Sequence, residues 1–312
     1  MRVGLDVGGT KTDAVAVSSS GEIVGRVRLV TGWGSDAVVS TVLGAVAALE
    51  REAGIARGAI SSIGVGIPGQ IEPGSSRVLH AVNLGVAALD LAAAVEPQLG
   101  VPVRVENDVK AAALGAAALR THTLNGTSSM AFLNLGTGVA AGIVAGGELW
   151  RGARGTAGEV GHISIDPNGP ECRCGQRGCI EALAGGAAVA ERWGRPGALP
   201  VRDVFDAADA GDARAIALRA GIAHGIAAAV RVLVLTADVD AVVLGGGLTA
   251  LGERLADEVG RELRSRAAAS AFMRSLRIEE RFELLPAGSP AAALGAAIVG
   301  ATRDPEGVLA HG

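Results

Sequence analysis

Two short glycine turns, each set between an apolar strand and a second strand, constrain the fold of this chain more than any other feature. The first, Asp6-Val7-Gly8-Gly9-Thr10-Lys11, follows an apolar run over residues 2–7, and the second, Gly136-Thr137-Gly138, follows one over 129–135. Around the first turn the pattern predicts strands at 2–7, 12–18 and 22–30, a helix from about Ser35 to Ala53, and a strand from Ile60 to Ile67 ending in Pro68-Gly69. A loop carrying Pro73-Gly74-Ser75-Ser76, a helix near 89–99, a strand at 102–105 and an alanine-rich helix from Asn107 to about Leu119 follow. Around the second turn the order begins again, with strands at 129–135, 139–145 and 147–150 and a helical region to about Leu235. A strand from Val239 to Leu244 then ends in Gly245-Gly246-Gly247, and a helix runs from Leu248 to about Arg266.

The repetition lies in the order of elements, since identity between the halves is slight. It implies an α/β chain with the two-lobed actin-like, RNase-H-like ATPase fold and a central cleft. The N-terminal lobe is expected over 1–120, with Thr121–Ser128 as the boundary and a last helix, about 290–306, packing back on it. The C-terminal lobe is expected over 121–289. A chain of 312 residues, 49% of them hydrophobic, has the material for two cores. Aromatics make up only 2%, with no Tyr, so the cores must be aliphatic and ligand recognition must lean on hydrogen bonds.

A formal net charge of −4 without a basic run argues against a nucleic-acid surface. The N-terminus enters a strand directly, without the pattern of a signal peptide. The apolar stretches Gly225–Leu235 and Ala291–Ala301 are short or broken by glycine or Arg231, so no membrane span is expected and a cytoplasmic location is.

Glycines at a strand tip let backbone N–H groups approach phosphate oxygens. In the first turn Thr10 adds a hydroxyl, Lys11 adds charge, and Asp6 suits Mg²⁺ held through water. A plain hairpin also uses Gly8-Gly9, but the flanking Asp and Lys favour the phosphate reading. Gly136-Thr137-Gly138 gains weight from its matching position. Gly245-Gly246-Gly247 suits a nucleotide and serves equally as a tight strand-to-helix turn. At Glu106-Asn107-Asp108 a carboxylate lies at a helix start, where the dipole keeps it ionised and able to accept a proton. Read alone, that stretch is a helix cap before it is a catalytic site.

All three cysteines fall within eight residues, in the pattern His162-x9-Cys172-x-Cys174-x4-Cys179. One imidazole and three thiolates form a closed donor set for a tetrahedral structural Zn²⁺, with no open position for a reactive water.

Together these motifs resemble the ROK family of repressors, open reading frames and sugar kinases, and within it the bacterial glucokinase-like enzymes. The resemblance is carried by Asp6-x-Gly8-Gly9-Thr10-Lys11, Gly64-x-Gly66-x-Pro68-Gly69, Glu106-Asn107-Asp108, Gly136-Thr137-Gly138, Arg151-Gly152, Ala157-Gly158-Glu159-x-Gly161-His162 and Cys172-x-Cys174-Gly175-x-x-Gly178-Cys179-x-Glu181. It implies ATP-dependent phosphorylation of the 6-hydroxyl of glucose or a close hexose relative, with Asp108 as the general base. It also implies that Asn107, Glu159, His162 and Glu181 hydrogen-bond the ring hydroxyls and that Gly69 and Asn83 line the sugar site. His162 would place one ring nitrogen on zinc and keep the other for a sugar hydroxyl. The resemblance further suggests domain closure and a homodimer.

An N-acetylhexosamine or glucosamine kinase, or a catalytically silent sugar-responsive regulator, are the alternatives. Repressors of the family carry an added N-terminal DNA-binding domain, and here Asp6 already belongs to the first turn. Three departures from the family pattern stand out. Lys110 replaces a small residue, Asn83-Leu84-Gly85-Val86 lacks the Trp that glucokinases often place there, and Ala140-Ala141 replaces glycines.

Overall fold

The structure, a computed structural model, describes residues 1–120 and 129–301. The expected boundary at Thr121–Ser128 and the final residues of the expected last helix lie outside them. The described residues form two compact units, one from 1–120 with 290–301 and the other from 129–289. Each opens on strand, glycine turn and strand and is built on a five-stranded sheet, the pattern of the actin-like ATPase fold.

In the first unit β1 (Arg2–Val7), β2 (Lys11–Val17) and β3 (Ile23–Val30) form the meander. Helix α1 (Ser35–Glu52) follows, burying Val38, Val42, Ala45 and Leu49 along one stripe. After β4 (Ser62–Ile67) the chain makes a three-stranded antiparallel sheet of β5 (Gln70–Ile71), β6 (Arg77–Ala81) and β7 (Val86–Asp90). The Pro73–Ser76 loop is the tip between the first two of these strands. Helix α2 (Leu91–Leu99) starts later than expected because Asp90 is its N-cap, accepting from the Ala93 N–H at 3.2 Å. Strand β8 (Val103–Asn107) and helix α3 (Asp108–Arg120) follow. The main sheet has the order β3-β2-β1-β4-β8, with β1, β4 and β8 parallel.

In the second unit β9 (Met130–Leu135), β10 (Val139–Ala145) and β11 (Glu148–Trp150) repeat the meander. Four helices come next: α4 (Ile180–Ala184), α5 (Gly186–Trp193), α6 (Pro200–Asp209) and α7 (Ala213–Ala237). Strand β12 (Ala241–Gly245), α8 (Glu253–Ala267), the short α9 (Ala271–Ser275) and β13 (Phe282–Leu284) complete a sheet of order β11-β10-β9-β12-β13. The helix expected from Leu248 begins only at Glu253, because Gly247–Leu251 forms a 3₁₀ turn.

Helix α7 corrects the expectation that the apolar stretch Gly225–Leu235 is short or broken at Arg231. It runs unbroken for 25 residues, and by length and apolarity alone it could span a bilayer. Its Ile222, Ile226, Val230 and Leu233 are instead fully buried in the core of the unit.

The last helix, α10 (Ala291–Ala301), joins the first unit against β1, β4 and α3. Glycine and alanine line the closest approaches. A Cβ on Gly4 would overlap the Ala293 carbonyl oxygen, one on Gly64 the Ala296 carbonyl, and one on Gly115 the Ala291 carbonyl. Backbones therefore meet directly, with no side chain able to yield. Gly64→Ala is expected to lower the unfolding free energy by about 3 kcal/mol or more, since overpacking here must move backbone. Denaturant unfolding of the variant, beside the more tolerant Gly58→Ala, reads this.

Candidate active site

Parallel pairing of β1, β4 and β8 places Asp6 opposite Gly66 and Gly66 opposite Glu106. The C-terminal ends of these strands thus carry a rank of residues one step before the turns and loops, where open α/β sheets bind ligands. Gly66 lets α3 start close to the sheet, for a Cβ there would lie 3.5 Å from the Asp108 Cα and 3.1 Å from the Ala111 Cβ. Asp108 is the first residue of α3, and Asn107 caps the helix: its Oδ1 accepts from the Val109 N–H at 3.0 Å and the Lys110 N–H at 3.2 Å. The Asn107 side-chain amide donates to the Gly69 carbonyl at 3.1 Å. Gly69, at φ +105°, is in a conformation only glycine adopts without strain. So Asn107, expected among the sugar ligands, also clamps Gly69 to the helix start. Lys110, the departure from the family pattern, is buried, as is Glu106.

The first turn is closed by the Gly8 N–H donating to the Lys11 carbonyl at 2.9 Å, and Gly9, Thr10 and Lys11 are exposed at its tip. A Cβ on Gly9 would lie 2.9 Å from the Asn83 carbonyl oxygen, so the first glycine turn and the expected sugar loop touch. Burial, with the carboxylates of Asp108 and Asp13, pushes the Asp6 carboxyl from 3.8 up to about 7, against the pull of Lys11 and Arg28. Asp13 stays ionised: burial would raise it, but hydrogen bonds from Arg26 and Arg28 hold it below the usual carboxylate range. A raised, crowded carboxyl of this kind is one that a cation relieves.

In the second unit the Gly136-Thr137-Gly138 turn is closed by the Gly136 N–H on the Gly138 carbonyl at 3.1 Å. Its carbonyls face α5, accepting from the Gly186 N–H at 2.9 Å and the Ala187 N–H at 3.0 Å. Glu181 Oε2 accepts from the Val139 N–H at 2.9 Å, and a Cβ on Gly138 would collide with that oxygen. The missing side chain at Gly138 thus serves a carboxylate of this chain, and one oxygen of Glu181 is already engaged. Glu159 is exposed, on a segment held flat against β10: Cβ atoms on Gly158 and Gly161 would overlap the carbonyls of Ala141 and Val139. Ala140 and Ala141 leave this approach open.

Register also pairs Gly245 with Asn134, and a Cβ on Gly246 would lie 2.7 Å from Asn134 Oδ1. The glycine run 245–247 therefore adjoins the Gly136 turn. Asn134 holds the place in the second unit that Asp6 holds in the first, two residues before the first turn glycine and opposite a strand-end glycine. Sequence reasoning missed it, although aligning the two turns would have found it.

The ligating atoms of His162, Cys172, Cys174 and Cys179 all lie within 4.8 Å of one another. The Cys174 and Cys179 sulfurs are 3.7 Å apart, close to the edge of about 3.8 Å that Zn–S bonds of about 2.3 Å make in a tetrahedron. His162 turns Nδ1 toward Cys172 Sγ at 3.9 Å. The Gln176 N–H lowers the Cys174 thiol to about 6, whereas burial and the neighbouring sulfurs push Cys179 up to about 12. The donor set and spacing fit one tetrahedral thiophilic ion.

Because folding raises the Asp6 carboxyl, the folded chain keeps a proton that the unfolded chain has lost, so stability falls as pH rises from about 4 through about 7. Asp6→Asn is expected to flatten that fall, as read by unfolding midpoints across this range in magnesium-free buffer.

The chain matches the model of the ROK family over residues 2–302. It is 34% identical over 272 residues to the glucokinase of Halalkalibacterium halodurans, covering 81% of this chain and 82% of the other. It is 35% identical over 247 residues to the N-acetylmannosamine kinase of Yersinia pseudotuberculosis, covering 78% and 82%. Among solved structures, the ROK family glucokinase from Streptomyces griseus in complex with glucose and AMPPNP superposes with a TM-score of 0.75 at 28% identity, over 96% of this chain and 98% of that one. Motifs, strand order and similarity along nearly the whole chain agree, and the protein belongs to the ROK family.

Proposed function

We propose that this protein is an ATP-dependent sugar kinase that phosphorylates the 6-hydroxyl of a hexose, with Asp108 as the general base. The observation that carries this reading is the strand-end rank of the first unit. There an exposed glycine turn bearing Lys11 adjoins the Asn83 loop, and a carboxylate at a helix N-terminus lies within the field of Asp6. Phosphoryl transfer asks for alignment and charge stabilisation more than for covalent machinery. As the sugar oxygen attacks the γ-phosphorus, its proton passes to the Asp108 carboxylate, the bond from phosphorus to the bridging oxygen breaks, and ADP leaves. The N–H groups of Gly9 and Thr10 and those of Thr137 and Gly138, with Lys11, suit phosphate oxygens, while the Gly8 and Gly136 N–H groups close the two turns, and Gly245–Gly247 suits the rest of the nucleotide. Asp6 is the group for Mg²⁺, which supplies countercharge to the phosphates.

Sugar hydroxyls fall to Asn83, Asn107, Glu159, His162 and the free oxygen of Glu181, with Gly69 shaping the loop. His162, Cys172, Cys174 and Cys179 would hold a structural Zn²⁺: with His162 Nδ1 turned toward Cys172, the tautomer would leave the Nε2 proton for a sugar hydroxyl. Glucose is the first candidate substrate. N-acetylmannosamine is the second, supported by the near-equal identity of a relative that bears that name.

Asp108→Ala is expected to lower turnover about 10³-fold or more, in the range of a lost general base, while sugar still binds. A coupled ADP-release assay over a hexose panel, with calorimetry for binding, measures both; turnover near wild type would remove the assignment. For the metal, elemental analysis is expected to find about one zinc per chain. Cys174→Ser should lower that content and the melting temperature together, and a fresh protein free of zinc would refute the site.

A further inference from the structure

The most exposed aromatic plane of the first unit belongs to none of the motifs above. Trp33, in the loop between β3 and α1, is 71% exposed, in a chain with only three Trp and no Tyr. Its indole rests directly on Gly85: a Cβ there would lie 2.5 Å from Cε2 and Nε1. The segment that carries it is fastened at both ends. The Thr31 N–H donates to the carbonyl of Thr10 in the phosphate turn at 3.2 Å, and the Gly34 N–H to the carbonyl of Leu84 at 2.7 Å. Beneath, the buried hydroxyls of Thr12 and Thr31 bond at 2.8 Å. Val30 and Val82 nearby are exposed as well.

An apolar plane fixed by backbone on one side and open on the other loses little entropy on contact. Two residues before Gly85 stands Asn83, whose backbone touches Gly9. An amide that bonds hydroxyls beside a fixed aromatic plane matches a ring with a polar edge and an apolar C–H face, which is a hexopyranose. We infer that Trp33 is a sugar-contacting residue, the plane on which the C–H face of the hexopyranose rests, and so a determinant of sugar affinity. Indole Nε1, which bonds no acceptor among the described residues, remains available to a hydroxyl.

This inference rests on the kinase reading, and its test is chosen to separate the two. Wild-type protein titrated with glucose or N-acetylmannosamine, without nucleotide, is expected to change its tryptophan fluorescence, and Trp33→Phe to remove that change with the sugar KM held within about twofold. Trp33→Ala should raise the sugar KM about tenfold, the scale of one lost aromatic contact, with the ATP KM unaltered and kcat little changed. A wild-type sugar KM in Trp33→Ala overturns the inference, as does a fluorescence response that persists in Trp33→Phe. So does a changed oligomeric state in Trp33→Ala without a changed sugar KM, which would make the plane a protein contact. A wild-type protein that phosphorylates no hexose overturns the kinase reading instead, and the fluorescence titration still reports on Trp33.

Discussion

The approach of α10 to β1, β4 and α3 is the contact on which the first unit depends. Gly4, Gly64 and Gly115 bring that seam to backbone distance, and the helix answers with alanine and with Gly295 and Gly300. The result is a stack in which sheet, terminal helix and α3 lie at backbone distance. Since α3 begins with Asp108 and β1 ends at the Asp6 turn, the spacing of those carboxylates is inherited from packing on the same two elements. Rigid packing of this sort transmits position, because close-packed interiors do not deform smoothly.

Crowding of charge follows from the same geometry. Asp6 feels Asp108 and Asp13 at once, and Asp13 remains ionised because two arginines of β3 hold it. The second unit repeats the backbone arrangement with a neutral amide, Asn134, at the matching place. Two similar strand ends thus differ in electrostatic character, with a crowded carboxyl at one and a neutral amide at the other. A shared architecture divides its labour through a single change from carboxylate to amide.

Much of this was legible in the sequence. The two meanders, their glycine turns, α1 and the cysteine window have short, strong local signals, and the bounds of α1 and α2 shift by only a residue or two, whereas α8 begins five residues late. Elements set by distant partners were not legible. Strands β5–β7 are short, with Asn83 and Gly85 between the last two, so no alternation announces them; β13 is three residues that take strand form only beside β12. Among site residues, Asn107, Asp108 and the thiolate set could be named from motif and spacing. Asn134 needed the two turns to be aligned, and Trp33 had no local signal at all, for its place is defined by Gly85, far along the chain. The sugar-facing role expected for Glu181 gained a local duty at Val139 that only strand geometry reveals.

That duty has a mechanical corollary. Cys179 is the residue just before α4, at its N-cap, and Glu181 lies in the first turn, so the carboxylate that grips the start of β10 is carried on the same short rod as one sulfur of the cluster. A pull on the thiolate loop is felt at Gly138 within two residues, with no flexible link between. The sulfur cluster and the second glycine turn therefore behave as parts of one lever, so that any slackening at Cys179 would also unfasten the turn at Gly138.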